Sequence, residues 1–120
     1  MENHRLVLPG DLNQYGFLFG GKLLAWVDEA CWIAASLDFP GFHFVTVAMD
    51  RVEFRQSVRE GTILTIRSEQ NKQGNTSVTY AVEVVDRERA DHVIFATNVT
   101  FVRVDENGEK LPLRAGGEDS

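Results

Sequence analysis

The sequence predicts an α+β domain in which one antiparallel sheet wraps around one long helix. Three observations carry that prediction. A single uninterrupted helical stretch, about 22–37, is apolar nearly all the way round. Four strand-like runs follow it, joined by short turns, the signature of an antiparallel sheet. The chain has 120 residues and shows no repeat, low-complexity tract or linker, so 1–120 reads as one domain. A chain of this size buries about two-thirds of its extended surface, enough for a real core.

The elements follow in order. Residues 5–8 (Arg-Leu-Val-Leu) are expected to form a short strand ended by Pro9-Gly10. Residues 9–21 form a glycine-bearing loop with Pro9, Gly10, Gly16, Gly20 and Gly21. The helix is rich in alanine and leucine and free of proline and glycine. Leu24, Val27, Cys31, Ala34 and Ala35 make one apolar stripe at 100° per residue. Trp26, Trp32 and Ile33 lie outside it, so the helix is expected to be buried nearly all round. Val45, Val47 and Met49 alternate, then Val52 and Phe54 continue on the opposite parity, which predicts a bulge near Asp50-Arg51. Ile63 to Glu69 is a strand, followed by a turn over 71–75. Val78, Tyr80, Val82 and Val84 alternate cleanly. His92 to Val104 is apolar on both parities, as suits a central strand buried on both faces. Residues 106–120 read as a polar tail whose end frays.

Composition excludes several functions. Twelve cationic and eighteen acidic side chains give a net charge of −6, against broad nucleic-acid binding, which needs a basic face. The one cysteine, Cys31, excludes an intrachain disulfide framework and a multi-cysteine zinc site. His4, His43 and His92 are far apart, so no metal is expected. No apolar run is long enough to span a membrane, and the first residues hold no apolar signal core. A soluble, reducing, cytoplasmic setting is the expectation. Residues 51–72 nevertheless hold five cations (Arg51, Arg55, Arg59, Arg67, Lys72) against three anions. That stretch could serve a small anionic ligand or be a solvated strand face.

Asp28 is the residue that does not belong. It lies four residues after Leu24, three before Cys31 and seven before Ala35, so a carboxylate sits within the apolar stripe. Burying it costs several kcal/mol unless it is paired or hydrogen-bonded. It is either a satisfied structural or interface acid, or a functional carboxylate in an apolar cleft. Gly20-Gly21 is the second feature, at the start of the helix. Missing side chains there let a ligand approach the first free N–H groups, which suit an anion or a developing oxyanion. Close helix–sheet packing would ask for the same residues. Asn13 is the third; it could cap, make an Asx-turn or orient a substrate. Gly21 and Asp28 are seven residues apart, about 10 Å of helix. One helix cannot easily aim both at one reacting atom. If they act together, the second group comes from another subunit, so the idea of a shared site predicts an obligate dimer.

Pro9-Gly10-Asp11-Leu12-Asn13-Gln14-Tyr15-Gly16-Phe17-Leu18-Phe19-Gly20-Gly21, followed by Trp26-Val27-Asp28-Glu29-Ala30, resembles the acyl-CoA hydrolase family of hotdog-fold thioesterases. Val45-Thr46-Val47-Ala48-Met49-Asp50, Val52-Glu53-Phe54, Gly61, Gly74-Asn75-Thr76-Ser77 and 101–108 extend the resemblance over nearly the whole chain. It implies a five-stranded antiparallel sheet around one helix, a homodimer often assembled into tetramers or hexamers, and hydrolysis of an acyl-CoA to a free acid and CoA without a further cofactor. It also implies a catalytic pair, Asn13 and Asp28, from opposite subunits. Gly20 or Gly21 N–H groups would stabilise the oxyanion, and Asp28 would act as general base or nucleophile. Arg55, Arg59 and the loop Gly74, Asn75, Thr76, Ser77 are the candidates for contacts to CoA. Asn75 stands where the family often has arginine, Gln56 where it has proline and Leu12 where it has threonine; the first departure bears on the nucleotide contacts.

Three other readings stay in view. The first is a non-catalytic acyl-CoA-binding hotdog module, although such regulators usually add a DNA-binding segment for which 120 residues leave no room. The second is an acyl dehydratase, which uses a catalytic histidine; His43 and His92 do not sit at the helix start, and an Asp-x4-His pattern is missing. The third is an α+β dimer in which Asp28 is structural.

Overall fold

The computed structural model describes residues 1–114. Five strands, β1 (Glu2–Leu6), β2 (His43–Phe54), β3 (Ile63–Gln73), β4 (Ser77–Asp86) and β5 (Arg89–Val104), form one antiparallel sheet in the order β1-β3-β4-β5-β2. One helix, α1 (Gly20–Asp38), lies on one face of it. The predicted architecture is thus present. Leu64, Ile66, Val78, Tyr80, Val84, Phe95, Val99 and Phe101 from the sheet and Val27, Ala30, Cys31, Ala34 and Ala35 from the helix are buried together in one core.

The two ends of the sheet differ. Helix α1 begins beside Phe54 at the end of β2, near where β3 starts. It finishes where the Tyr80 hydroxyl donates to Asp38 Oδ2 at 2.6 Å, near the start of β4. The 9–19 loop therefore occupies one end of the molecule and the β3–β4 turn the other.

Several expectations are corrected. β1 runs from Glu2 to Leu6 rather than over 5–8. Its polar residues suit an edge strand, while Val7 leaves the ladder to exchange hydrogen bonds with the 61–62 turn. The helix starts two residues earlier than expected, at Gly20, because a first turn needs no i−4 partner for its N–H groups. β3 continues through Gln73, with an irregularity between Gln70 and Lys72, so the turn is shorter than the predicted 71–75. β5 is interior but not central, and its outward residues Ala96, Asn98 and Thr100 are half-buried. The expected burial nearly all round holds for Trp26, outside the stripe, but not for Trp32 (43 % exposed), Ile33 and Leu37, which are open.

The bulge near Asp50-Arg51 is where the phase change put it. The β2–β5 register shifts between Asp50 and Glu53, and Arg51 has φ 61°. The expected polar tail packs back at its beginning. Leu111 N–H donates to Arg103 O and Leu113 N–H to Asn75 O, both at 2.9 Å, and Leu113 is buried. The expected fraying of its end concerns 115–120, which lie outside the described residues.

Candidate active site

The loop before α1 is built around Asn13. Its Oδ1 accepts the N–H groups of Tyr15 (2.9 Å) and Phe17 (3.1 Å), closing a turn that Gly16 completes at φ 86°. The carboxamide oxygen is thereby committed to the backbone, so Nδ2 is the part of the side chain left to address a substrate. Asp11 fixes the loop to the helix. Its carboxylate accepts Leu8 N–H at 2.9 Å and faces Lys22 Nζ at 3.4 Å, and its carbonyl accepts Phe19 N–H at 2.9 Å. The Leu8 amide and then Lys22 hold the Asp11 carboxyl below its usual range.

The helix start carries free backbone donors. Phe19 occupies the N-cap and offers no side-chain acceptor. Its carbonyl takes the Lys22 and Leu23 N–H groups, while those of Gly20 and Gly21 have no backbone partner among the described residues. The packing supports the close-packing reading of the glycine pair. A Cβ on Gly20 would lie 3.3 Å from Phe54 Cζ, and one on Gly21 would lie 2.9 Å from Phe19 Cε2. The result is a pair of backbone donors without a backbone partner, flanked by the Phe54 and Phe19 rings, at the positive end of a 19-residue helix.

Asp28 lies two turns further on, at the seam between α1 and β2, partly buried. Its Oδ1 accepts a hydrogen bond from Thr46 Oγ1 at 2.6 Å. Behind it Cys31 is fully buried, and its thiol is pushed up to about 12 by burial and then by the negative charge of Asp28. Thr46 has no signal as a site residue in the sequence, because its contact with Asp28 spans eighteen positions and depends on how β2 lies against the helix. One turn beyond Asp28, Trp32 is fixed by Nε1–H donation to Phe44 O at 3.1 Å.

A single chain gathers only part of the expected site. Asn13, Gly20, Gly21 and Arg59 cluster at the helix start. Arg59 pairs with Phe17 through a β-bridge, its guanidinium 5.1 Å from the ring centre. Asp28 is about 10 Å along the helix from Gly21. Arg55 lies on the other side of β2's end, where its Nη2 donates to Glu53 Oε1 at 2.9 Å. It borders a cavity of about 780 Å³ on the outer sheet face, in which carboxylates outnumber arginines. The turn Gly74, Asn75, Thr76, Ser77 is at the far end of the sheet, closed by Gly74 N–H donation to Ser77 O at 2.8 Å. Among the described residues no three His, Cys, Asp or Glu side chains are grouped to hold a metal, and no helix is long and apolar enough to cross a membrane.

This fold has counterparts among known proteins. Residues 15–92 match the thioesterase superfamily. The chain belongs to that family. It is 30 % identical over 110 residues to an uncharacterized acyl-CoA thioester hydrolase of Bacillus subtilis, covering 89 % of this chain and 63 % of the relative. The chain thus spans less than two-thirds of that curated relative. A hexameric hotdog-fold thioesterase of Campylobacter jejuni superposes with a TM-score of 0.79 at 32 % identity, over 93 % of this chain and 88 % of that one. An acyl-CoA hydrolase of Staphylococcus aureus, solved with butyryl-CoA, CoA and CoA disulfide, gives 0.81 at 28 % identity, over 93 % and 67 %. The fold of this thioesterase-superfamily chain is the hotdog fold that its sequence resembles.

Proposed function

We propose that this chain is an acyl-CoA thioesterase whose active site is completed between two copies. The observation that carries the reading is the placement of Asp28 on the same helix flank as the open N–H groups, one subunit's reach away from them. Gly21, Ala25, Asp28 and Trp32 fall at i, i+4, i+7 and i+11, a stripe of small or exposed positions beside the open edge of β2. Small residues let a second helix approach closely, and an unpaired edge strand with exposed Val45 and Val47 invites pairing. A two-fold axis near Leu24-Ala25 sets Asp28 of one subunit opposite Gly21 of the partner subunit. The CoA complex and the hexamer of the relatives support the substrate and an assembly built from such dimers, a tetramer or hexamer.

In this reading the thioester carbonyl points at the Gly20 and Gly21 N–H groups, with Asn13 Nδ2 positioning the thioester or the attacking water. Asp28 of the partner, held by Thr46, either takes a proton from a water that attacks the carbonyl carbon or attacks that carbon itself. The tetrahedral oxyanion gains the helix-start donors. Collapse breaks the C–S bond; on the first route the CoA thiolate takes the proton held by Asp28, and on the second it takes one from water and a further water hydrolyses the mixed anhydride left on Asp28. Arg55, Arg59 and the Gly74, Asn75, Thr76, Ser77 turn are the candidate CoA contacts. Arg59 has no carboxylate partner among the described residues, whereas Arg55 is paired with Glu53. The chemistry needs no further cofactor, and a CoA substrate fits a cytoplasmic setting.

The test is free-thiol release from short- to long-chain acyl-CoAs by wild type and Asp28→Asn. The expected result is turnover that falls at least a hundredfold in the variant with the oligomer intact. Equal turnover by both proteins would remove Asp28 from the chemistry. CoA binding without turnover would make this a binding module. Single-turnover hydrolysis in oxygen-18 water separates the two roles of Asp28: label inside its carboxylate means direct attack, and its absence means a general base.

A further inference from the structure

At the far end of the molecule one arginine is held in a way that structural need alone does not explain. Arg103, near the end of β5, places its guanidinium 3.6 Å above the Phe42 ring. Its Nη1 donates to Pro112 O at 2.8 Å, and its backbone N–H donates to Thr76 O at 2.9 Å. Stacking and the carbonyl fix the planar group before any ligand arrives. One of its five N–H donors is spent on Pro112, which leaves an edge of the fork free. Arg5, Arg51, Arg55 and Arg67 all face carboxylates; Arg103 has none within salt-bridge reach among the described residues. An unneutralised, pre-oriented guanidinium is suited to a phosphate.

Its position is as informative as its chemistry. From Asp28 to the helix end at Asp38 is ten residues, about 15 Å. Along that span Trp32 Nε1–H donates to Phe44 O, and the Phe44 ring lies 6.3 Å from Phe42, on which Arg103 stacks. The span is of a length suited to an extended pantetheine arm between the candidate carboxylate and Arg103. The segment 111–113 closes over the turn and holds Arg103 at the same time.

We propose that Arg103 binds a phosphate of the CoA nucleotide and is the residue by which this chain selects CoA thioesters over thioesters lacking the nucleotide. The proposal rests on the acyl-CoA reading above. It assigns nucleotide recognition to the strand beside the Gly74–Ser77 turn, which itself contains no cation. Of the other stacked arginines, Arg5 is paired with Glu29, and Arg59 stands at the helix start with Asn13 and so lies by the reacting end of the substrate.

The test compares butyryl-CoA, butyryl-3′-dephospho-CoA and butyryl-pantetheine thioester as substrates of wild type, Arg103→Gln, Arg103→Lys and Arg59→Gln, with calorimetric binding of free CoA alongside. For Arg103→Gln, KM for butyryl-CoA is expected to rise about tenfold with kcat retained, and the rise to be absent for the pantetheine thioester. Arg103→Lys is expected to recover part of the loss. A rise that persists with dephospho-CoA places the contact on the pyrophosphate, and one that vanishes places it on the 3′-phosphate; either supports the proposal. Equal changes on CoA and pantetheine thioesters would mean that Arg103 only braces the C-terminal segment, and would overturn it. So would a CoA-specific loss in Arg59→Gln with none in Arg103→Gln. If wild type hydrolyses nothing but binds CoA, weaker binding by Arg103→Gln still supports the site while the hydrolase reading falls. If wild type neither hydrolyses nor binds, both fall.

Discussion

The two flanks of α1 are made from similar residues and meet different fates. On the sheet side Val27, Ala30, Cys31 and Ala34 are buried by the chain's own strands. On the β2 side Gly21, Ala25 and Trp32 stay exposed, and Asp28 sits among them, held by Thr46. A helix apolar nearly all round does not imply burial by its own fold; what the sheet leaves open is available to a second copy. The comparison also accounts for the odd carboxylate. Asp28 does not carry the cost of a fully buried charge, because it lies at the seam with a hydroxyl donor to one oxygen, which leaves the other for the proposed chemistry.

The largest effect is expected from breaking the exposed flank. Ala25→Arg places a long cation at the proposed helix crossing, where Ala25 is open in one chain and its loss disturbs nothing inside. Sedimentation should show monomers, and thioester hydrolysis should fall below detection while circular dichroism is unchanged. A dimer with full activity would refute a site shared across this flank.

Thr46 offers a finer cut. Thr46→Val keeps the shape and removes the hydroxyl that holds Asp28 Oδ1. A hydrogen bond to a charged group contributes about 1.5–3 kcal/mol, so kcat should fall at least about tenfold, with little change in oligomer or melting temperature. Thr46→Ser should restore most of it. If Ser and Val behave alike, the hydroxyl does not orient the carboxylate.

How much of this was legible without coordinates depends on the range of the interaction. The helix, the alternating strands and the break at Asp50-Arg51 are local patterns, and the structure has each of them. β1 was misplaced because Glu2-Asn3-His4 carries no apolar alternation; the strand exists through its pairing with β3. Trp32, Ile33 and Leu37 are open, against the expected burial, because an apolar helix pattern does not say how far round the sheet reaches, whereas β1 covers Trp26, with Arg5 5.0 Å from its ring centre. Asn13, Gly20, Gly21 and Asp28 stand out as residue types in unusual places. Thr46 and Arg103 are ordinary strand residues whose partners, Asp28 and Phe42, come from topology. For the same reason the sequence could not show that Arg59 and the Gly74–Ser77 turn lie at opposite ends.

Cys31 gives the smallest effect and the cleanest control on the contrast between the flanks. It is fully buried on the sheet side, with its thiol pushed up to about 12. At pH 8 the thiol therefore stays protonated, whereas a free cysteine is partly ionised. A disulfide-exchange reagent should therefore leave the native protein unlabelled and modify one thiol after denaturation, so Cys31 adds no background to a thiol-release assay. The same protection should survive in Ala25→Arg, because the sheet, not the partner, covers this side. Trp32, on the other flank, should change its fluorescence on dissociation, being 43 % exposed in one chain. Labelling of Cys31 in the monomeric variant would show that the two flanks are not independent, and that association helps hold the helix on its own sheet.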